Sequence, residues 1–213
     1  MTHVAALQEN WSLEEVIEVI QMSTKQYDIN VTYPEYLLSG QFLNTFNTVI
    51  SAEITGYVEQ FIEAAGQLPL PDGLKSELKG RHFTYTAMRQ FITVKMDLYP
   101  YLGGAHPNHD IVTVTFDSSA NTIITLSDFL GAGSNYLKRL STLVEKALFE
   151  KYPELQFAFK DPAFRQGFAP KEENFSYWTL TDDGLIIFFP EYQIAPYAAG
   201  TLDVIIPFAD IRG

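Results

Sequence analysis

With 213 residues, of which 46% are hydrophobic and 19% charged, the chain can bury a substantial core, and its 16 Phe and 12 Tyr argue against disorder. It contains no cysteine, which excludes disulfides, thiol nucleophiles and cysteine-ligated metals, while a net charge of -12 disfavours nucleic acid and anionic lipid and favours a cationic partner at low ionic strength. No run of about 20 apolar residues is present to cross a bilayer, and the opening MTHVAALQEN lacks the basic and long apolar segments of a signal peptide. The expectation is a soluble domain whose leader or membrane anchor, if it has one, lies outside these residues.

Residues 12–22 carry Leu13, Val16, Ile17 and Ile20 at helical spacing behind a Ser12/Glu15 capping box, which predicts an amphipathic helix. Tyr27, Ile29, Val31 and Tyr33 then alternate as in a half-buried strand, with Pro34 as its stop. Phe42, Phe46, Val49, Ile50, Tyr57, Val58, Phe61 and Ile62 predict a long helix over 41–65, capped by Gly66. After an irregular stretch over 67–80, strands are expected at Phe83–Ala87, Phe91–Leu98, Ile111–Phe116 and Ile123–Leu126, an antiparallel meander. A second long helix is expected from Ser134 to Lys151, the stretch 152–174 carries no clear pattern, and strands follow at Trp178–Leu180, Leu185–Phe189 and Leu202–Pro207.

This pattern is α+β: a mainly antiparallel sheet with two long helices and an N-terminal amphipathic helix. Residues 1–24 are read as an N-terminal helix or tether and 25–213 as a single domain, with a division into sub-lobes 25–100 and 101–213 left open.

Three segments carry a resemblance. They are Val31-Thr32-Tyr33-Pro34 before the long helix, Tyr101-Leu102-Gly103-Gly104-Ala105-His106-Pro107 with Thr115-Phe116-Asp117 and Leu126-Ser127-Asp128-Phe129 downstream, and the stretch from Phe189 to Gly200. Over residues 27–211 the chain resembles the extracytoplasmic domain of unknown function shared by RsiV-type lysozyme-sensing anti-sigma factors and the non-catalytic region of PdaC-type peptidoglycan deacetylases. The resemblance implies a mixed α/β domain, secreted or membrane-anchored, often without activity of its own; in the anti-sigma branch it implies capture of lysozyme. It makes Pro190 and Tyr192 candidate contact positions.

From the residues themselves, Tyr192 and Tyr197 flanked by Pro190 and Pro196 make a stiff loop that can present aromatic surface to a partner or pack on its own domain. Gly103 and Gly104 permit a tight backbone path, beside which His106 either bonds main-chain groups or meets a ligand. His106, His109 and Asp110 could in principle hold zinc, though a further ligand would be needed, and no metal or other cofactor is expected. Asp182-Asp183 and Glu172-Glu173 fit turns better than acid-base pairs, and no serine-nucleophile or phosphate-loop motif is present.

The expected function is therefore a non-enzymatic extracytoplasmic binding or sensing domain of the bacterial envelope, with Gly103, Gly104, His106, Pro190, Tyr192, Pro196 and Tyr197 as candidate contacts. A cationic protein such as lysozyme is the first expected partner and a cell-wall glycan the second, with a membrane reached only through a separate anchor. Two alternatives stand beside it: a peptidoglycan-fragment-binding accessory module, and a metal-dependent hydrolase centred on His106 and His109.

Overall fold

The computed structural model describes residues 11–212 except 69, 72, 132 and 134. The first ten residues of the expected helix or tether, and the helix start expected at Ser134, lie outside the described residues.

The expectation of a helix over 12–22 is corrected. Leu13–Ser23 is a strand, β1, running antiparallel to β2 (Tyr27–Leu38), with Leu13 opposite Leu38 and Ser23 opposite Asp28. Val16, Ile17, Val19 and Ile20 place four β-branched side chains in five positions, which favours extended backbone, and a partner strand follows after a short turn. Glu15 makes no capping box; it accepts a hydrogen bond from Thr84 Oγ1 at 2.5 Å and lies 3.2 Å from His82 Nε2.

Pro34 does not end β2. Tyr36, two residues on and so turned to the same side, directs its peptide N–H and C=O to the Asn47 side chain, away from β1. Pro34 thus needs no donor toward β1, and the pairing of β2 with β4 (Ser76–Ala87) covers only Tyr27–Val31. That pairing is parallel, which requires a crossover. Helix α1 (Asn44–Gln67) provides it, after a two-residue strand β3 (Gln41–Phe42). Gly66 is inside α1 rather than capping it, and β4 begins within the stretch read as irregular. Gly80 sits in β4 because a Cβ there would come within 2.8 Å of Val31 and Leu98 side-chain atoms.

The first sheet has the order β1-β2-β4-β5-β6-β7, with β3 paired to β2; β5 is Phe91–Tyr101, β6 Asp110–Asp117 and β7 Thr122–Ile123. Helix α1 contributes Phe46, Ile50, Ile54, Val58 and Phe61 to the core, where Phe46 stacks between Tyr36 at 5.2 Å and Phe116 at 5.1 Å. Along β5, Val94, Met96 and Leu98 fill the interior while Lys95, Asp97 and Tyr99 alternate with them on the opposite face.

Two compact units result. One comprises residues up to Thr84 together with Val94–Ile123; the other comprises Tyr85–Thr93 and Ile124 onward. In the second unit the expected strand 123–126 gives way to helix α2 (Leu126–Leu130), started by a capping box of Thr125 and Asp128. Helix α3 (Tyr136–Lys151) lays Leu140, Val144 and Leu148 into the core of this unit. The unpatterned stretch holds two short helices, α4 (Gln156–Lys160) and α5 (Pro162–Arg165), the latter capped by Asp161. Strands β8 (Trp178–Leu180), β9 (Gly184–Phe189) and β10 (Leu202–Pro207) form an antiparallel sheet in the order β10-β9-β8, and α6 (Phe208–Arg212) follows. The α+β class stands, with a strand in place of the helix expected over 12–22.

Candidate functional site

Between β9 and β10 the chain makes the 190–200 loop. Gln193 anchors it, donating from Nε2 to the carbonyl oxygens of Gly167 at 2.7 Å and Asn174 at 3.0 Å. Asn174 in turn donates to the Gln166 and Ala169 carbonyls, so the loop rests on a bonded platform. Gly167 is dictated by this approach, since a Cβ there would lie 2.0 Å from the Gln193 carbonyl oxygen. Ile194 and Ala195 plug into the core.

Anchored in this way, the loop holds Tyr192 at φ 68°, a left-handed conformation, with 61% of the residue exposed. Its ring meets Tyr197 with centroids 5.5 Å apart, inclined at 32°. The peptide N–H of Gln193 bonds the Pro190 carbonyl and that of Ala199 the Pro196 carbonyl, so both prolines open turns. The result is an aromatic pair on a braced loop.

The other sequence candidates sit in the first unit. Gly103 and Gly104 both have positive φ, 97° and 116°, and a Cβ on Gly103 would come within 2.6 Å of Leu70 Cδ2. Tyr101 donates its hydroxyl to the Gly104 carbonyl at 3.2 Å, and His106 Nδ1 lies 2.9 Å from the Pro107 carbonyl oxygen. His109 points instead to Asp97, 3.0 Å away, and Asp110 accepts a short hydrogen bond from Tyr57. The two histidines and Asp110 therefore face different partners, and among the described residues no three His, Asp or Glu side chains gather as a metal site. The acidic pairs are likewise engaged in turns or at helix ends: Asp182 accepts from the Met88 peptide N–H and Glu172 from the Tyr136 hydroxyl.

Sequence reading missed a cluster on the outer face of the first sheet. Asp97 of β5 has 5% side-chain exposure and contacts Lys95 Nζ, His109 Nε2 and, at 3.8 Å, Arg81 Nε of β4. Burial pushes the Asp97 carboxyl up, but hydrogen bonds from His109 and Lys95, with their charge, outweigh it and hold it below the usual carboxylate range. Tyr99 stacks flat on His109 at 4.6 Å, and the Arg81 guanidinium lies over both Phe83 and Tyr99. A cavity of about 310 Å³ near the start of α3 offers less chemistry, since two of its polar residues, Tyr136 and Arg139, are already bonded to Glu172 and to the Asp210 carbonyl.

The fold and the loop define an α+β domain, and a family model described as "Protein of unknown function (DUF3298)" matches its residues 127–209. The match falls inside the second unit and includes the tyrosine loop. The chain is 29% identical over 118 residues to the peptidoglycan-N-acetylmuramic acid deacetylase PdaC of Bacillus subtilis, an alignment covering 55% of this chain and 25% of the deacetylase. The chain thus spans about a quarter of that relative. It is also 27% identical over 191 residues to the immunogenic protein MPT64 of Mycobacterium tuberculosis, covering 88% of this chain and 78% of the relative. A crystal structure of a DUF3298 family protein from Pseudomonas aeruginosa has the same fold, with a TM-score of 0.66 at 14% identity over 97% of this chain and 95% of that one. A second from Bacteroides fragilis also scores 0.66, at 16% identity over 95% and 93%. Among the described residues no helix is long and apolar enough to cross a membrane.

Proposed function

We propose that this chain is a non-enzymatic, extracytoplasmic binding domain of the bacterial envelope that captures a cationic protein of the lysozyme kind through the 190–200 loop. The observation that carries this reading is Tyr192, exposed on a left-handed residue that Gln193 and Gly167 brace from below. An aromatic side chain held rigid before contact loses little entropy on binding and makes a good interface anchor. Charge supports the same partner. The first unit holds 14 carboxylates against 5 Lys and Arg, the second 12 against 9, so the chain as a whole draws a basic protein toward it.

Calorimetric titration with lysozyme at low and moderate salt tests this reading, with expected saturable binding that weakens as salt rises and is lost in Tyr192→Ala. A second reading, recognition of a cell-wall glycan, is favoured by the pairing of Tyr192 with Tyr197, which offers two ring faces to a sugar, and by the relation to a peptidoglycan deacetylase. Binding of soluble peptidoglycan fragments that salt leaves unchanged, with no response to lysozyme, would put this reading first.

A further inference from the structure

The cluster on the outer face of the first sheet has a charge sign opposite to that of the chain around it. Arg81 and Lys95 bring two permanent cations, and both are in ion-pair contact with Asp97. Among these three side chains cations outnumber carboxylates, in a chain of net charge -12. Its parts also differ in access: Lys95 and Asp97 are buried, whereas the Arg81 side chain is 63% exposed and Phe83 beside it 40%. The buried pair fixes the charge and the exposed arginine delivers it.

The donors at the surface are oriented. Arg81 Nη2 donates to the Tyr99 hydroxyl oxygen at 3.1 Å, which leaves the Tyr99 O–H to donate outward and the remaining guanidinium N–H groups to do the same. The Tyr99 ring is held flat by His109, and the guanidinium is held over Phe83 and Tyr99, so neither donor must be ordered when a ligand arrives. An anion with two coplanar oxygens matches a guanidinium fork beside a phenolic O–H, and Phe83 offers an apolar flank.

We infer that Arg81 and Tyr99, backed by Lys95 and bordered by Phe83, form a binding site for a small carboxylate ligand that carries an aliphatic group or a sugar ring beside its acid group. This site is separate from the tyrosine loop in residues and in the charge it selects.

The test is an NMR titration of the full chain with N-acetylmuramic acid and with the dipeptide alanyl-alanine, using N-acetylglucosamine as the uncharged counterpart of the sugar acid. Saturable shifts at Arg81, Phe83 and Tyr99 with either carboxylate support the site, and the one that binds tells whether the acid comes from a sugar or a peptide. Arg81→Gln is expected to weaken binding roughly tenfold or more and Tyr99→Phe several-fold, in keeping with loss of a charge-assisted and of a neutral hydrogen bond. Arg81→Lys should restore part of the affinity. The inference is overturned if neither carboxylate saturates in the millimolar range, if the uncharged sugar binds equally well, or if Arg81→Gln, shown folded by its amide spectrum, binds like the parent.

Discussion

The 190–200 loop and the Arg81–His109 sheet face reach rigidity by opposite means. The loop is one contiguous stretch: the Gln193 amide, close packing on Gly167 and the buried Ile194 and Ala195 hold it, and backbone strain at Tyr192 is the cost. The sheet face is assembled from residues spread over 81–109 on neighbouring strands and is held by charge in a dry environment, with Asp97 at its centre. Packing of the first kind fails when volume is added. Electrostatics of the second kind fail when one charge is removed.

The largest expected effect follows from that contrast. Asp97→Ala leaves Lys95 buried without its carboxylate and should cost about 3–5 kcal/mol in chemical denaturation. Gly167→Ala sets a methyl against the Gln193 carbonyl and should cost about 1–3 kcal/mol, while also altering the amide resonances of the tyrosine loop. Asn47→Ala strips the Tyr36 peptide group of its buried partner and should cost about 1–3 kcal/mol, a useful scale for the other two. The smallest change has the opposite sign: Tyr192→Gly relieves a left-handed residue and should stabilise by up to about 1 kcal/mol while removing the proposed contact. A variant that melts higher yet binds less would separate function from folding at this position.

Acid provides a further separation. Because the folded-state Asp97 carboxyl is held below its ordinary value, its contribution is complete above the unfolded value near about pH 4 and is lost as pH falls through the lower folded value. Stability should therefore drop on acidification below about pH 4, and part of that drop should vanish in Asp97→Asn. The Gln193 amide that anchors the tyrosine loop does not titrate, so the loop should keep its resonances until the chain unfolds.

How much was legible in the sequence follows from how each part is built. Both long helices and most strands have a single hydrophobic period and were readable. β1 was not, because Leu13, Val16, Ile17 and Ile20 satisfy helical spacing equally well; only the β-branched content and the nearness of a partner strand argued for extension. The Thr125/Asp128 capping box was a local signal for α2 that the strand reading passed over. The tyrosine loop was visible because its residues are contiguous between prolines. The sheet face was hidden because strand pairing, not spacing, joins Arg81 to Asp97 and Asp97 to His109; its one trace was the alternation of Lys95, Asp97 and Tyr99 with Val94, Met96 and Leu98.

The most direct test of the central claim is calorimetric titration of lysozyme into the parent chain and Tyr192→Gly at two salt concentrations. Capture through the tyrosine loop predicts saturable binding by the parent that weakens with salt, and its loss in a variant at least as stable. Equal binding by both chains, or none by the parent, would contradict it.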